Sequence, residues 1–186
     1  MEALEPRYKF KLFSKHEVED GFFDDVDGIV IGGGFGDSDS YDHLLKHNSD
    51  SIKKFVGSGG AYIGICMGSY WADKTYFDIL NDIRVVQYIK RPTTDTRRPH
   101  AKNLEVTWNN NKERMYFYDG CTFLGNNMDV VATYGNGDPM AIVQGKIGLI
   151  GCHPEATRHW YDSYSWMKNK YVNNHALLLD FVDSMI

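Results

Sequence analysis

Apolar residues in this chain fall into short β-branched runs cut by glycine, with two stretches at helical spacing. Gly28-Ile29-Val30-Ile31 reads as a buried parallel strand that stops at Gly32-Gly33-Gly34. Tyr41, Leu44, Leu45, Ile52, Phe55 and Val56 then recur at helical spacing, with Ser40 or Asp39 as cap and Gly57 to Gly60 as terminator. Ala61 to Ile65 is a second apolar run. Strand, glycine loop, helix and strand make a βαβ unit, whose two strand-end loops meet at one sheet edge, where open α/β sheets bind ligands.

Around this unit the pattern is looser. Tyr8-Lys9-Phe10-Lys11-Leu12-Phe13 alternates imperfectly and predicts a strand near an edge, and His16 to Asp27 reads as a polar connection. Arg84 to Ile89, Leu104 to Trp108 and Asp129 to Tyr134 predict strands, with a turn at Asp119-Gly120 inside the aromatic stretch Met115 to Phe123. Ala141-Ile142-Val143 and Lys146 to Ile150 pair as a hairpin about Gln144-Gly145, an antiparallel extension on a mainly parallel sheet. Leu177, Leu178, Phe181, Val182 and Met185 share one face of a last helix, after an aromatic segment, Trp160 to Trp166, that reads as packing. No repeat, linker or low-complexity tract divides the chain, so residues 1–186 are expected to form a single domain.

The 186 residues carry 42% hydrophobic and 24% charged positions, enough for one full core. A net charge of −5 disfavours a nucleic-acid partner held by bulk electrostatics. No apolar run reaches the ~20 residues of a membrane span, and no signal-peptide layout opens the chain, so no membrane partner is expected. Three well-separated cysteines, Cys66, Cys121 and Cys152, argue against a disulfide framework and for a reducing, cytoplasmic setting.

Cys66 ends the second apolar run, with Gly64 two residues before it and Gly68 two after. A strand turning sharply into a helix needs small residues there, and the turn would present the sulfur beside a helix amino end, which favours thiolate. The alternative is a small buried thiol used for packing. In His153-Pro154-Glu155 the proline holds the histidine extended, so Glu155 falls on the same side and can fix its ring. Cysteine, base and orienter make a nucleophile set. Backbone N–H groups of Gly33 and Gly34, with that of Met67, are the candidate oxyanion hole. The glycines fit neither a dinucleotide nor a phosphate loop, and Cys152-His153 lacks spaced partners, so neither a cofactor nor a metal is expected. Arg97 and Arg98 could meet an anion, although exposed arginine pairs are commonly just solvated.

A glycine loop, a G-I-C-x-G elbow and a late H-P-E, in this order, resemble the class I glutamine amidotransferase-like superfamily. The closer likeness is to the amino-terminal domain of biotin–protein ligases and its stand-alone relatives. Gly64-Ile65-Cys66-Met67-Gly68-Ser69-Tyr70 looks like that group's G-I-C-A-G-x-Y, Tyr118 to Phe123 like its aromatic-glycine segment, and Gly148 to Glu155 like its closing strand. The resemblance implies a flavodoxin-like sheet with helices on both faces, Cys66 as nucleophile, His153 as general base and acid, Glu155 as its orienter, and an oxyanion hole near Gly34 and Met67. Glutamine-hydrolysing members usually carry Gln four residues after the cysteine. Tyr70 stands there, so the pocket around Ser69 and Tyr70 should differ and glutamine is in doubt as substrate. Such domains also usually open with a strand and helix that the seven residues before Tyr8 are too few to supply. A truncation, Tyr8 to Phe13 moved into the central slot, or a second copy or partner chain would account for this, and the slot is expected to be filled or its edge covered.

The expected function is a cysteine-dependent, amidotransferase-like hydrolase acting on a small amide or ester through an acyl-thioester. The rival is a catalytically silent binding or regulatory module on the same scaffold. An α/β-hydrolase-type esterase fits the short chain and upstream glycine loop poorly.

Overall fold

The computed structural model describes residues 2–19, 21–34 and 45–186. Seven strands form one sheet. β1 (Gly28–Ile31), β2 (Ala61–Ile65) and β9 (Ile147–Ile150) run parallel side by side. The sheet continues antiparallel through β8 (Pro139–Gln144), β7 (Asp129–Tyr134), β4 (Lys102–Trp108) and β5 (Asn111–Phe117). The parallel limb carries the two special loops, and the antiparallel extension supplies the rest of the sheet. β3 (Ile83–Gln87) and β6 (Cys121–Gly125) pair separately as a two-stranded ribbon.

Alternation along the strands sorts the core onto two faces. Ala61, Ile63 and Ile65 of β2 and Ile150 of β9 pack with Leu178, Phe181, Val182 and Met185 of α4 (His175–Asp183). Tyr62, Ile29, Ile31 and Leu149 point the other way, onto Ile52 of α1 (Ser49–Gly57) and Trp71 of α2 (Met67–Trp71). Helices therefore cover both faces, as expected of the fold. The described part of the first helix follows a 3-10 turn at Lys46–Asn48. Its expected start, with Tyr41 and the Ser40 or Asp39 cap, lies outside the described residues.

Two expectations change. Tyr8 to Phe13 forms no strand: Tyr8 packs on the α4 side with its hydroxyl on Asp183, Phe13 turns to Phe22 and Phe23, and Leu12 is 73% exposed. Lys11 pairs with Asp25 at 2.7 Å, and among the described residues no strand edge takes the segment's backbone. Among the described residues the outer edge of β1 has no ladder partner. No strand among the described residues fills the slot. The apolar faces beside it are covered instead, by Ala3 and Leu4 on one side and Val18 and Phe23 on the other.

Candidate active site

β2 ends at Ile65 and α2 starts at Met67, so Cys66 alone makes the turn, at φ +51°. Non-glycine residues rarely occupy that region, and a strained turn at a strand end is how an elbow exposes a nucleophile. The Cys66 N–H donates to the Ile150 carbonyl at 2.8 Å, and its own carbonyl accepts from Ser69 and Tyr70 at 3.0 and 3.2 Å. The flanking glycines allow the turn by close approach. A Cβ on Gly64 would lie 2.6 Å from the Gly68 backbone, and one on Gly68 would fall on the Ile31 carbonyl of β1.

His153 follows β9 and is 3% exposed. Its N–H donates to the Tyr116 carbonyl at 2.8 Å, and Tyr116 and Trp160 set their rings edge-on to the imidazole at 5.8 and 5.3 Å. Glu155 Oε1 lies 2.8 Å from Nδ1. A carboxylate can only accept there, so Nδ1 carries hydrogen and Nε2 is left for the sulfur side. Burial pushes the imidazole down, but the charges and hydrogen bonds of Glu155 and Cys66 outweigh it and hold His153 up at about 10. The glycine loop reaches the same point: a Cβ on Gly33 would stand 2.5 Å from His153 Cε1. Elbow, glycine loop and His153 therefore converge at one sheet edge, as the βαβ reading required.

The other expected residues divide. Gly34 is exposed beside Gly33, and Met67 opens α2, where a first-turn N–H has no intrahelical acceptor. Tyr70 is half-buried, with its hydroxyl donating to the Asp119 carbonyl at 3.4 Å, and burial with nearby Cys121, Cys66 and Asp119 pushes its phenol far up, so it stays neutral. Ser69, expected to line the pocket, is fully buried. Its Oγ lies 2.8 Å from the Gly64 carbonyl and 3.0 Å from that of Ile150, and accepts the Ile150 N–H at 3.1 Å. It pins α2 to β2 and β9 beneath the elbow. Arg97 folds back on its own loop, onto the carbonyls of Arg91 and Pro92 at 3.2 and 2.8 Å.

Sequence reasoning missed the aromatic setting of His153 and the contacts of the Tyr118-Asp119-Gly120 turn. The Cys66 thiol lies 3.7 Å from the Tyr118 carbonyl, and Gln87 Nε2 donates to both Asp119 oxygens at 2.7 and 2.8 Å. The aromatic-glycine stretch was the visible signal. Among the described residues, no group of three or more His, Cys, Asp or Glu could hold a metal ion.

The Cys66 turn and the His153-Glu155 pair thus stand together at the end of the parallel strands of this mixed sheet. In three dimensions the chain is similar to a solved glutamine amidotransferase (TM-score 0.65, 18% identity, 98% of this chain and 91% of that one). It is also similar to a chain of PurLQS from Thermotoga maritima (TM-score 0.59, 15% identity, 88% and 82%). A third is the glutamine amido transferase from Methylobacillus flagellatus (TM-score 0.52, 15% identity, 78% and 59%). Residues 1–87 match the family described as "Biotin-protein ligase, N terminal". The family match thus agrees with the motif resemblance over the first part of the chain, and the solved structures share its fold. No curated protein matches the sequence. No helix among the described residues is long and apolar enough to cross a membrane.

Proposed function

We propose that the protein is a cysteine-dependent, amidotransferase-like hydrolase of a small amide or ester. The observation that carries this is the buried His153, fixed through Nδ1 by Glu155 at 2.8 Å, with Cys66 acting on the same ring. His153 holds the proton given up by Cys66, and Sγ attacks the substrate carbonyl carbon. The carbonyl electron pair moves to oxygen, where the N–H groups of Gly33, Gly34 and Met67 receive it. Collapse expels the amine or alcohol with the proton from His153 and leaves an acyl-thioester. Water then attacks, its proton passing to His153, and the thiol leaves with that proton. The net change is amide or ester plus water to acid plus amine or alcohol. Tyr70, hydrogen-bonded across the site, makes glutamine a poor fit.

The chemistry suits a reducing, cytoplasmic setting, in which Cys66, Cys121 and Cys152 remain free. On the same reading a second copy of the chain pairs with the open edge of β1. The competing reading is a silent binding or regulatory module, favoured by the Cys66 thiol's contact with the Tyr118 carbonyl.

Incubation with an activated phenyl ester, followed by intact mass spectrometry, decides between them. One acyl group per chain is expected, lost in Cys66→Ala, with no glutamate released from glutamine by either protein. Absence of any Cys66 adduct supports the silent module.

A further inference from the structure

Resting on the nucleophile reading above, we propose that Asp119 is a specificity-determining residue that selects substrates carrying a cationic group, a protonated amine, next to the scissile carbonyl. The juxtaposition is set by one turn. Tyr118 places its carbonyl 3.7 Å from the Cys66 sulfur, and Asp119 places its carbonyl 3.4 Å from the Tyr70 hydroxyl. The Asp119 carboxylate belongs to the same turn, and its charge and that of Cys66 both act on the Tyr70 phenol. Gly120 fixes the turn by packing backbone to backbone on Gly151, just before Cys152-His153.

The turn against Cys66 and Tyr70 therefore carries acceptors: two carbonyls and a carboxylate. Acceptors recognise donors, and an ionised acceptor recognises a charged donor best. The Gln87 amide grips both oxygens of the Asp119 carboxylate from one nitrogen at 2.7 and 2.8 Å. Gln87 comes from the end of β3, opposite Cys121 in the ribbon, so the grip is anchored outside the turn. A neutral amide orients the carboxylate without cancelling its charge. A carboxylate has about four lone-pair positions, so capacity remains for a ligand N–H. Of the basic side chains that follow β3, Arg91 is held by Asp138 at 3.0 Å and Arg97 by carbonyls of its own loop. The φ of +48° at Asp119 suits Asp or Asn, so Asp119→Asn removes charge while keeping the backbone.

The test compares Cys66 modification by a cationic methanethiosulfonate (trimethylammonium-ethyl) and an anionic one (sulfonato-ethyl), each normalised to a free thiol. Reaction is followed by intact mass at low salt, with Cys66→Ser as the site control. The normalised cation-to-anion ratio is expected to exceed unity in the wild type and to fall about tenfold in Asp119→Asn. It should fall similarly in Gln87→Lys, which sets an ammonium on the carboxylate, and in the wild type as salt rises. A fast-reacting Cys66 whose ratio is unchanged in both variants overturns the role of Asp119 and leaves the nucleophile standing. A Cys66 no faster than a free thiol overturns the nucleophile reading and this one with it.

Discussion

Gly68→Ala is expected to destabilise the protein by about 3 kcal/mol or more, read as a lower urea midpoint at unchanged slope. A Cβ there falls on the Ile31 carbonyl of β1 and close to the Ile31 side chain. Backbone cannot rotate away as a flexible side chain can, so α2 must lift from β1, carrying the elbow with it. Gly57→Ala is the control. It ends α1 with nothing within 4 Å of an added Cβ, and alanine there should be neutral or stabilising by up to about 1 kcal/mol. Equal effects at the two sites would contradict the packing account of the elbow.

The second large effect is on stability against pH. His153 holds its proton in the folded protein up to about pH 10, whereas an unfolded histidine releases it near 6.5. Between these values the unfolded chain binds fewer protons, so stability falls as pH rises. The contribution is complete below pH 6.5 and gone above pH 10. From pH 6.5 to 8.5 the wild type should lose more stability than His153→Gln, read as a steeper fall of the urea midpoint with pH. Burial pushes the Cys121 and Cys152 thiols up, which acts in the same direction but only from near pH 9, so the lower window isolates His153. Glu155→Gln should flatten the slope by removing the charge on Nδ1. Parallel curves for wild type and His153→Gln would contradict the raised histidine.

Much of the fold was legible because the parallel limb is buried on both faces. Gly28 to Ile31 and Ala61 to Ile65 are continuous apolar runs cut by glycine, and both strands end where those runs end. β5 was harder. Its first half, Asn111 to Arg114, is polar and mostly exposed at the sheet edge, so no alternation marks it. Its turn, with Asn109 and Asn110 at φ +46° and +68°, was the available signal. Tyr8 to Phe13 misled in the opposite sense, since its alternation serves side-chain docking on α4 and on the Phe22-Phe23 pair. In the site, residue spacing was enough to bring His153, Glu155, Gly33 and Cys66 together. It could not show that Ser69 faces inward on a one-turn helix, because one turn carries too few residues to define an apolar face. Nor could it show that Gln87 meets Asp119, 32 positions away, since that contact needs the ribbon's register.

The central claim is that His153 activates Cys66 as a nucleophile. Its most direct test is the second-order rate of Cys66 alkylation by iodoacetamide at pH 7, in wild type and in His153→Ala. The account predicts a wild-type rate above that of a free thiol and a drop of about a hundredfold on removing His153. A wild-type rate equal to that of a free thiol, unchanged in His153→Ala, would contradict it.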